Sequence, residues 1–214
     1  MHIHNISQQN SILNTYISEI RSKSIQKDSM RFRRNIERIG EILGYEMSKT
    51  LSYKVSNVET PLGSSKIALP ENDIVLCSIL RAGIPLHNGL LNYFDTAENA
   101  FISAYRHHKH NPESFEIIVE YLACPSLKNK TLILVDPMLA TGHSSAAAVS
   151  RLKENGASNI RFVSLLAAPE GIEYFHSEHP DVPIYTAAVD EKLNDHAYIL
   201  PGLGDAGDRI FGTK

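Results

Sequence analysis

Apolar residues in the first fifty positions recur at helical spacing. Ile12, Leu13, Tyr16, Ile17 and Ile20 mark an amphipathic helix over residues 9–21, and Met30, Phe32, Ile36, Ile39, Leu43 and Met47 mark a second over 29–48. Arg31, Arg33, Arg34 and Arg38 surround that second stripe and read as a solvated helix face. Residues 50–70 are polar and mixed, with Thr60, Pro61, Leu62 and Gly63 marking a turn. The pattern then changes: IVLCSIL at 74–80 and LILV at 132–135 are unbroken apolar runs, the signature of strands buried on both faces of a parallel sheet. Helical stretches follow them over 84–93 and 145–154, and strands at 100–105, 160–166 and 182–188 with a helix at 169–177 complete the alternation. Such alternation predicts a parallel sheet with helices on both faces. FEIIVEYLA at 115–123 alternates only partly and is rich in branched and aromatic residues, which suggests a strand in a hairpin arm.

In an open parallel sheet, ligands bind beyond the carboxyl ends of the strands. Arg81, Arg106 and Asp136 each follow a predicted strand and are expected to converge on one rim. After Asp136 the chain runs through Pro137, Met138, Leu139, Ala140, Thr141, Gly142, His143 and Ser144, a small, hydroxyl-rich turn leading into a helix. A helix start of this kind presents backbone N–H groups and the positive end of the helix dipole to an anion, so it can cradle a phosphate. An ordinary strand-to-helix turn with a Thr or Ser cap fits the same residues. No lysine follows Gly142, so a Walker loop is excluded. A carboxylate beside such a turn suits a sugar phosphate, the acid accepting hydrogen bonds from ribose hydroxyls.

Composition narrows the class. The chain has 214 residues, 43% of them hydrophobic and 21% charged, and a net charge of −3, as expected of one soluble globular domain. Lysines and arginines are spread along it, leaving no field for nucleic acid. Cys77 and Cys124 suggest neither a disulfide framework nor a cysteine metal site. No apolar stretch approaches membrane-spanning length and MHIHNISQQN does not look like a leader, so a cytosolic protein without membrane contact is expected. His107, His108 and His110 lack a convincing further ligand and read as solvated loop histidines, not a zinc site.

Specific motifs go further. DPMLATG at 136–142 resembles the phosphoribosyl diphosphate motif of type I phosphoribosyltransferases in the form used by the uracil phosphoribosyltransferase family, with His143 where a second glycine is usual. SILRAGIPL resembles that family's diphosphate-binding loop, implying that Arg81 contacts diphosphate. Arg106 in AYRHHKH matches a family arginine on a mobile loop, although acidic residues usually follow it. The tail AYILPGLGDAGDRIFGTK resembles the uracil-binding segment, implying that Ile199, Gly204, Asp205 and Ala206 contact the base and that Asp205 also reaches the phosphoribosyl diphosphate. On residues alone a Gly-rich tail fits as well. The resemblance, carried also by FRRNIERIGEILGYE and VETPLG, implies a type I phosphoribosyltransferase fold in one domain over 1–214. Its parts would be N-terminal helices at about 9–48, a β-arm at about 107–128 and a C-terminal hood at about 189–214.

The implied reaction is uracil plus 5-phospho-α-D-ribose 1-diphosphate giving UMP and diphosphate, with catalysis resting on Arg81, Arg106 and Asp136. Mg2+ would enter on the phosphoribosyl diphosphate; a homodimer or higher homo-oligomer and a GTP effector are also implied. Transfer to another base, or a non-catalytic nucleotide- or RNA-binding regulator on the same fold, are the alternatives. No residue stands out as a general base.

Overall fold

The computed structural model describes residues 2–108, 115–118 and 120–212. In chain order its first half holds β1 (Ile3–Asn5), α1 (Leu13–Arg21), α2 (Ser29–Ser48), β2 (Tyr53–Thr60), β3 (Gly63–Pro70), β4 (Ile74–Leu80), α3 (Ile84–Leu91) and β5 (Glu98–Ser103). Next come β6 (Tyr105–His108), β7 (Phe115–Ile118) and β8 (Leu122–Ala123). The second half holds β9 (Thr131–Val135), β10 (Met138–Leu139), α4 (His143–Glu154), β11 (Asn159–Ala167) and α5 (Pro169–Glu178). Last are β12 (Ile184–Val189), β13 (Lys192–Leu193), β14 (Ile199–Leu200) and α6 (Ala206–Phe211).

The main sheet runs β1-β12-β11-β9-β4-β5-β8, with β10 added along β11, and every pairing in it is parallel except β5 with β8. The unbroken apolar runs are explained by two cores, one on each face. Leu76, Ile133 and Val163 point to the side where α1, α2 and α3 contribute Ile20, Phe32, Ile36 and Leu86. Val75, Leu132, Leu134 and Phe162 point to the other, where α4 and α5 contribute Val149, Leu152, Ile172 and Phe175. A strand covered on both faces has no solvent side on which to place polar residues.

Three departures from the sequence expectation have physical causes. Residues 53–70 form an antiparallel hairpin, β2 with β3, turning at Thr60 and Gly63, where only the turn was expected. Both its faces are largely exposed, so its sequence lacks the one-sided alternation that announces a strand. The expected strand over 115–123 is divided between β7, paired with β6, and β8, paired with β5. The arginines of α2 are not uniformly solvated: Arg33 donates to the Ile210 carbonyl (2.8 Å) at the end of α6, Arg31 and Asn35 share Glu19 of α1, and Arg38 lies over the Tyr16 ring. Arg34 bonds within the helix, to Glu37, and Arg38 also donates to Asn35 of the same helix.

Candidate active site

β9 ends at Val135 and delivers Asp136, half-buried, just beyond its carboxyl end. The Asp136 carboxylate accepts from the Met138 N–H (3.4 Å) and the Ser145 hydroxyl (3.3 Å). Burial pushes this carboxyl up from 3.8 to about 6, and the two hydrogen bonds oppose that shift. The next residues are pinned along β11, with Pro137 O accepting from the Leu165 and Leu166 amides and Leu139 O from Ala168. At Gly142 (φ 81°) the chain turns into α4. Gly142 itself holds the cap position, which overturns the Thr or Ser cap, and no acidic residue of α4 occupies its first turn, so the carboxylate in contact with that turn is Asp136, through Ser145.

α5 backs this turn closely. A Cβ on Gly171 would lie 2.3 Å from the Ala140 carbonyl oxygen and 2.7 Å from that of Leu139, so only glycine permits the approach. His143, the departure from the family motif, stacks on Tyr174 of α5 with ring centroids 4.0 Å apart and planes at 24°. Its bulk is thus taken up against α5.

A cavity of about 370 Å³ joins this strand end to the C-terminal segment. Asp136, Pro137, Met138 and Ala140 line one side, and Ile199, Gly204, Asp205 and Ala206 line the other. Leu139 is fully buried in the core, so its side chain is unavailable to a ligand. Thr141, Gly142, His143 and Ser144 form the adjoining turn and do not line the cavity. Arg81 is exposed at the end of β4, its guanidinium 5.1 Å from the centroid of the Phe211 ring, while its neighbour Ala82 reaches the cavity wall. Arg106 lies on β6 in register with Ile117, so Arg81, Arg106 and Asp136 follow the three adjacent strands β4, β5 and β9. His107 and His108 also lie on β6, not in a loop, and His110 is outside the described residues.

Sequence reasoning missed His196 and Tyr198, which line the cavity from the tight turn before β14. Asn194 organises that turn, its side-chain oxygen accepting from the amides of His196 (3.0 Å) and Tyr198 (2.9 Å). Asn and Asp ahead of such a turn were the available signal. Asp205 caps α6 by accepting from the Asp208 amide (2.9 Å), so its carboxylate is oriented by the helix, and the residue is part of the cavity lining. Among the described residues no three His, Cys, Asp or Glu side chains come together, and burial pushes the Cys77 thiol up to about 12.

The model of the uracil phosphoribosyltransferase family matches residues 6–213. The chain belongs to that family. The uracil phosphoribosyltransferase of Porphyromonas gingivalis is 45% identical, with 100% of both chains covered. That of Agrobacterium fabrum is 49% identical over 86% of this chain and 87% of its own. A solved Aquifex aeolicus structure superposes with a TM-score of 0.88 at 30% identity, covering 99% of each chain. A purine phosphoribosyltransferase from Pyrococcus horikoshii shares the fold (TM-score 0.51, 16% identity, 73% of this chain and 84% of its own). The phosphoribosyltransferase fold expected from the motifs is the fold found, a mainly parallel sheet between helical layers.

Proposed function

We propose that the protein transfers the phosphoribosyl group of 5-phospho-α-D-ribose 1-diphosphate to uracil, giving UMP and diphosphate in pyrimidine salvage. The observation that carries this is the single cavity shared by the acid-bearing strand end and the glycine-rich C-terminal segment. One side supplies a carboxylate for ribose hydroxyls beside an uncapped helix start for the 5′-phosphate. The other supplies main-chain groups of Ile199, Gly204 and Ala206, which suit the alternating donors and acceptors on the edge of uracil.

In this reaction the bond from the anomeric carbon to diphosphate loosens, positive charge grows on the ribose, and the uracil nitrogen closes on that carbon. The Asp136 carboxylate holds the ribose hydroxyls, and its negative charge favours the cationic ring in a site of low dielectric. Arg81, at the rim, takes the departing diphosphate with its planar fork, and Arg106 is assigned the same task from β6. Leu139 contributes through its backbone only. The Thr141 to Ser144 turn holds the 5′-phosphate, and fixing both reactants in one cavity supplies much of the remaining acceleration.

Magnesium is part of this proposal. Asp136 and Asp205 both line the cavity, and one or two carboxylates completed by substrate phosphates are a donor set that suits it. When bound, the ion would neutralise charge on the diphosphate. Two free cysteines fit the reducing cytosol assigned here, and among the described residues no helix is long and apolar enough to cross a membrane.

The test is diphosphate release with magnesium, phosphoribosyl diphosphate and each of uracil, cytosine, orotate and hypoxanthine, with the nucleotide identified by mass. Release with uracil alone supports the assignment; release with another base alone defeats the substrate, and release with none from folded protein defeats the reaction. Adding GTP to the same assay tests the implied effector.

A homodimer belongs to the same proposal and is supported by the β2–β3 hairpin. An isolated two-stranded hairpin is marginal in water, yet this one exposes Val55 (64%), Ile67 (43%) and Leu69 (44%). A second copy packed on the face that carries Ile67 and Leu69 would account for those two side chains, Val55 lying on the opposite face. Ile67→Glu combined with Leu69→Lys is expected to halve the mass measured by light scattering, toward the chain's own 23.8 kDa. A wild-type protein that is already monomeric refutes the dimer.

A further inference from the structure

The geometry points to Arg21 and Asp190 as a positioning pair for the base, acting through Gly202. Between Ile199 and Gly204, both of which line the cavity, the chain passes Gly202, and both polar groups of its backbone are taken by this pair. The Gly202 N–H donates to Asp190 Oδ2 (2.9 Å), and the Gly202 carbonyl accepts from Arg21 Nη1 (3.0 Å). Arg21 in turn grips the Asp190 carboxylate with both terminal nitrogens, at 2.8 and 2.5 Å. The Asp190 side chain is 4% exposed and that of Arg21 22%.

The pair connects the base segment to the rigid parts of the molecule. Asp190 follows β12 directly, and its own amide donates to the Ala167 carbonyl at the end of β11 (2.8 Å). Arg21 is the last residue of α1, whose Leu13, Ile17 and Ile20 are buried in the core. Neither side chain lines the cavity, so neither is a catalytic residue. A base read by main-chain groups is discriminated only as well as the backbone that reads it is held, and misplacement by a fraction of an ångström erodes the hydrogen bonds that select it. The planar fork of arginine is needed because a single ammonium cannot hold both carboxylate oxygens and a carbonyl in one fixed plane.

The phosphate side is secured separately, by β11 and by the close contact of α5 with Ala140. Loss of the pair should therefore act on the base far more than on phosphoribosyl diphosphate, which the C-terminal segment reaches only through Asp205. This inference rests on the assignment of the C-terminal segment to uracil.

The experiment compares wild type with Arg21→Lys and with the double variant Arg21→Gln, Asp190→Asn. The double variant removes both charges together, so that neither is left buried without its partner. Steady-state constants for both substrates are measured well below each Tm, with folding checked by near-ultraviolet circular dichroism. The expected result is a KM for uracil raised about 5- to 20-fold, with the KM for phosphoribosyl diphosphate within about twofold of wild type. Preference for uracil over 6-azauracil, read as a ratio of kcat/KM, should narrow. Equal rises in both KM values, or an unchanged KM for uracil in folded variants, overturn the positioning role. Wild-type turnover of a different base would defeat the substrate assignment alone, and the same split would then be read with that base.

Discussion

Asp136→Asn is expected to abolish most activity and at the same time make the protein more stable. The carboxylate sits where burial pushes its pKa from 3.8 up to about 6, so near neutral pH the folded protein holds a charge that it would rather neutralise. A folded pKa above the unfolded value means that the native state binds the extra proton between about pH 4 and 6, so this group's contribution to stability falls as pH rises through that window. Asparagine removes the charge and keeps one acceptor oxygen, for the Met138 amide, while its NH2 group takes the place of Oδ2 and donates to the Ser145 hydroxyl oxygen instead. After allowance for screening at the open cavity the gain should be about 1–2 kcal/mol above about pH 6, or roughly 3–6 °C in Tm, vanishing below about pH 4.

The same replacement loses the charge that accepts the ribose hydroxyls and favours a cationic ribose, so kcat/KM for phosphoribosyl diphosphate should fall about 10²- to 10³-fold. In the wild type, affinity for that substrate should weaken as pH falls through about 6, because protonation removes the charge and turns one of the two acceptor oxygens into a donor. Thermal melts across pH and steady-state rates check both halves. A variant less stable than wild type at about pH 8 would mean that the two hydrogen bonds outweigh the cost of burial.

Gly171→Ala should have an effect of similar size without touching a ligand. The added methyl meets two carbonyl oxygens and a carbonyl carbon of the 139–140 turn, all backbone and none able to rotate away. Relief requires α5 and the turn to separate by about 1 Å, at a cost of about 1–3 kcal/mol. Displacement of that order in a positioning element can cost about 10²-fold in rate, here expected mostly in the KM for phosphoribosyl diphosphate. A variant with unchanged kinetics and a lowered Tm would mean that the turn does not position the phosphate.

Local patterns carried much of this protein into view. The parallel sheet was legible because strands buried on both faces must be apolar throughout, as at 74–80 and 132–135. The acid at the strand end and the small residues after it were legible because a phosphate turn leaves its chemistry in contiguous residues. The hairpin at 53–70 was not, since exposure on both faces erases alternation. Arg33 read as surface charge because its partner, the carbonyl of Ile210, lies 177 residues away.

Composition and spacing alone thus determined the sheet, its helical layers and a candidate phosphate turn, whereas the C-terminal segment stood out only by its resemblance to a uracil-binding tail. Tertiary structure decided that the strand end at Asp136 and the C-terminal segment share a cavity, that His143 leans on Tyr174, that Gly171 lies against the backbone of residues 139–140, and that Arg21 reaches Asp190 across 169 residues beside Gly202. The physical reason is range. Backbone preference and hydrophobic period act between near neighbours and leave a trace in sequence, whereas a close approach or an ion pair depends on residues that only the finished fold brings together.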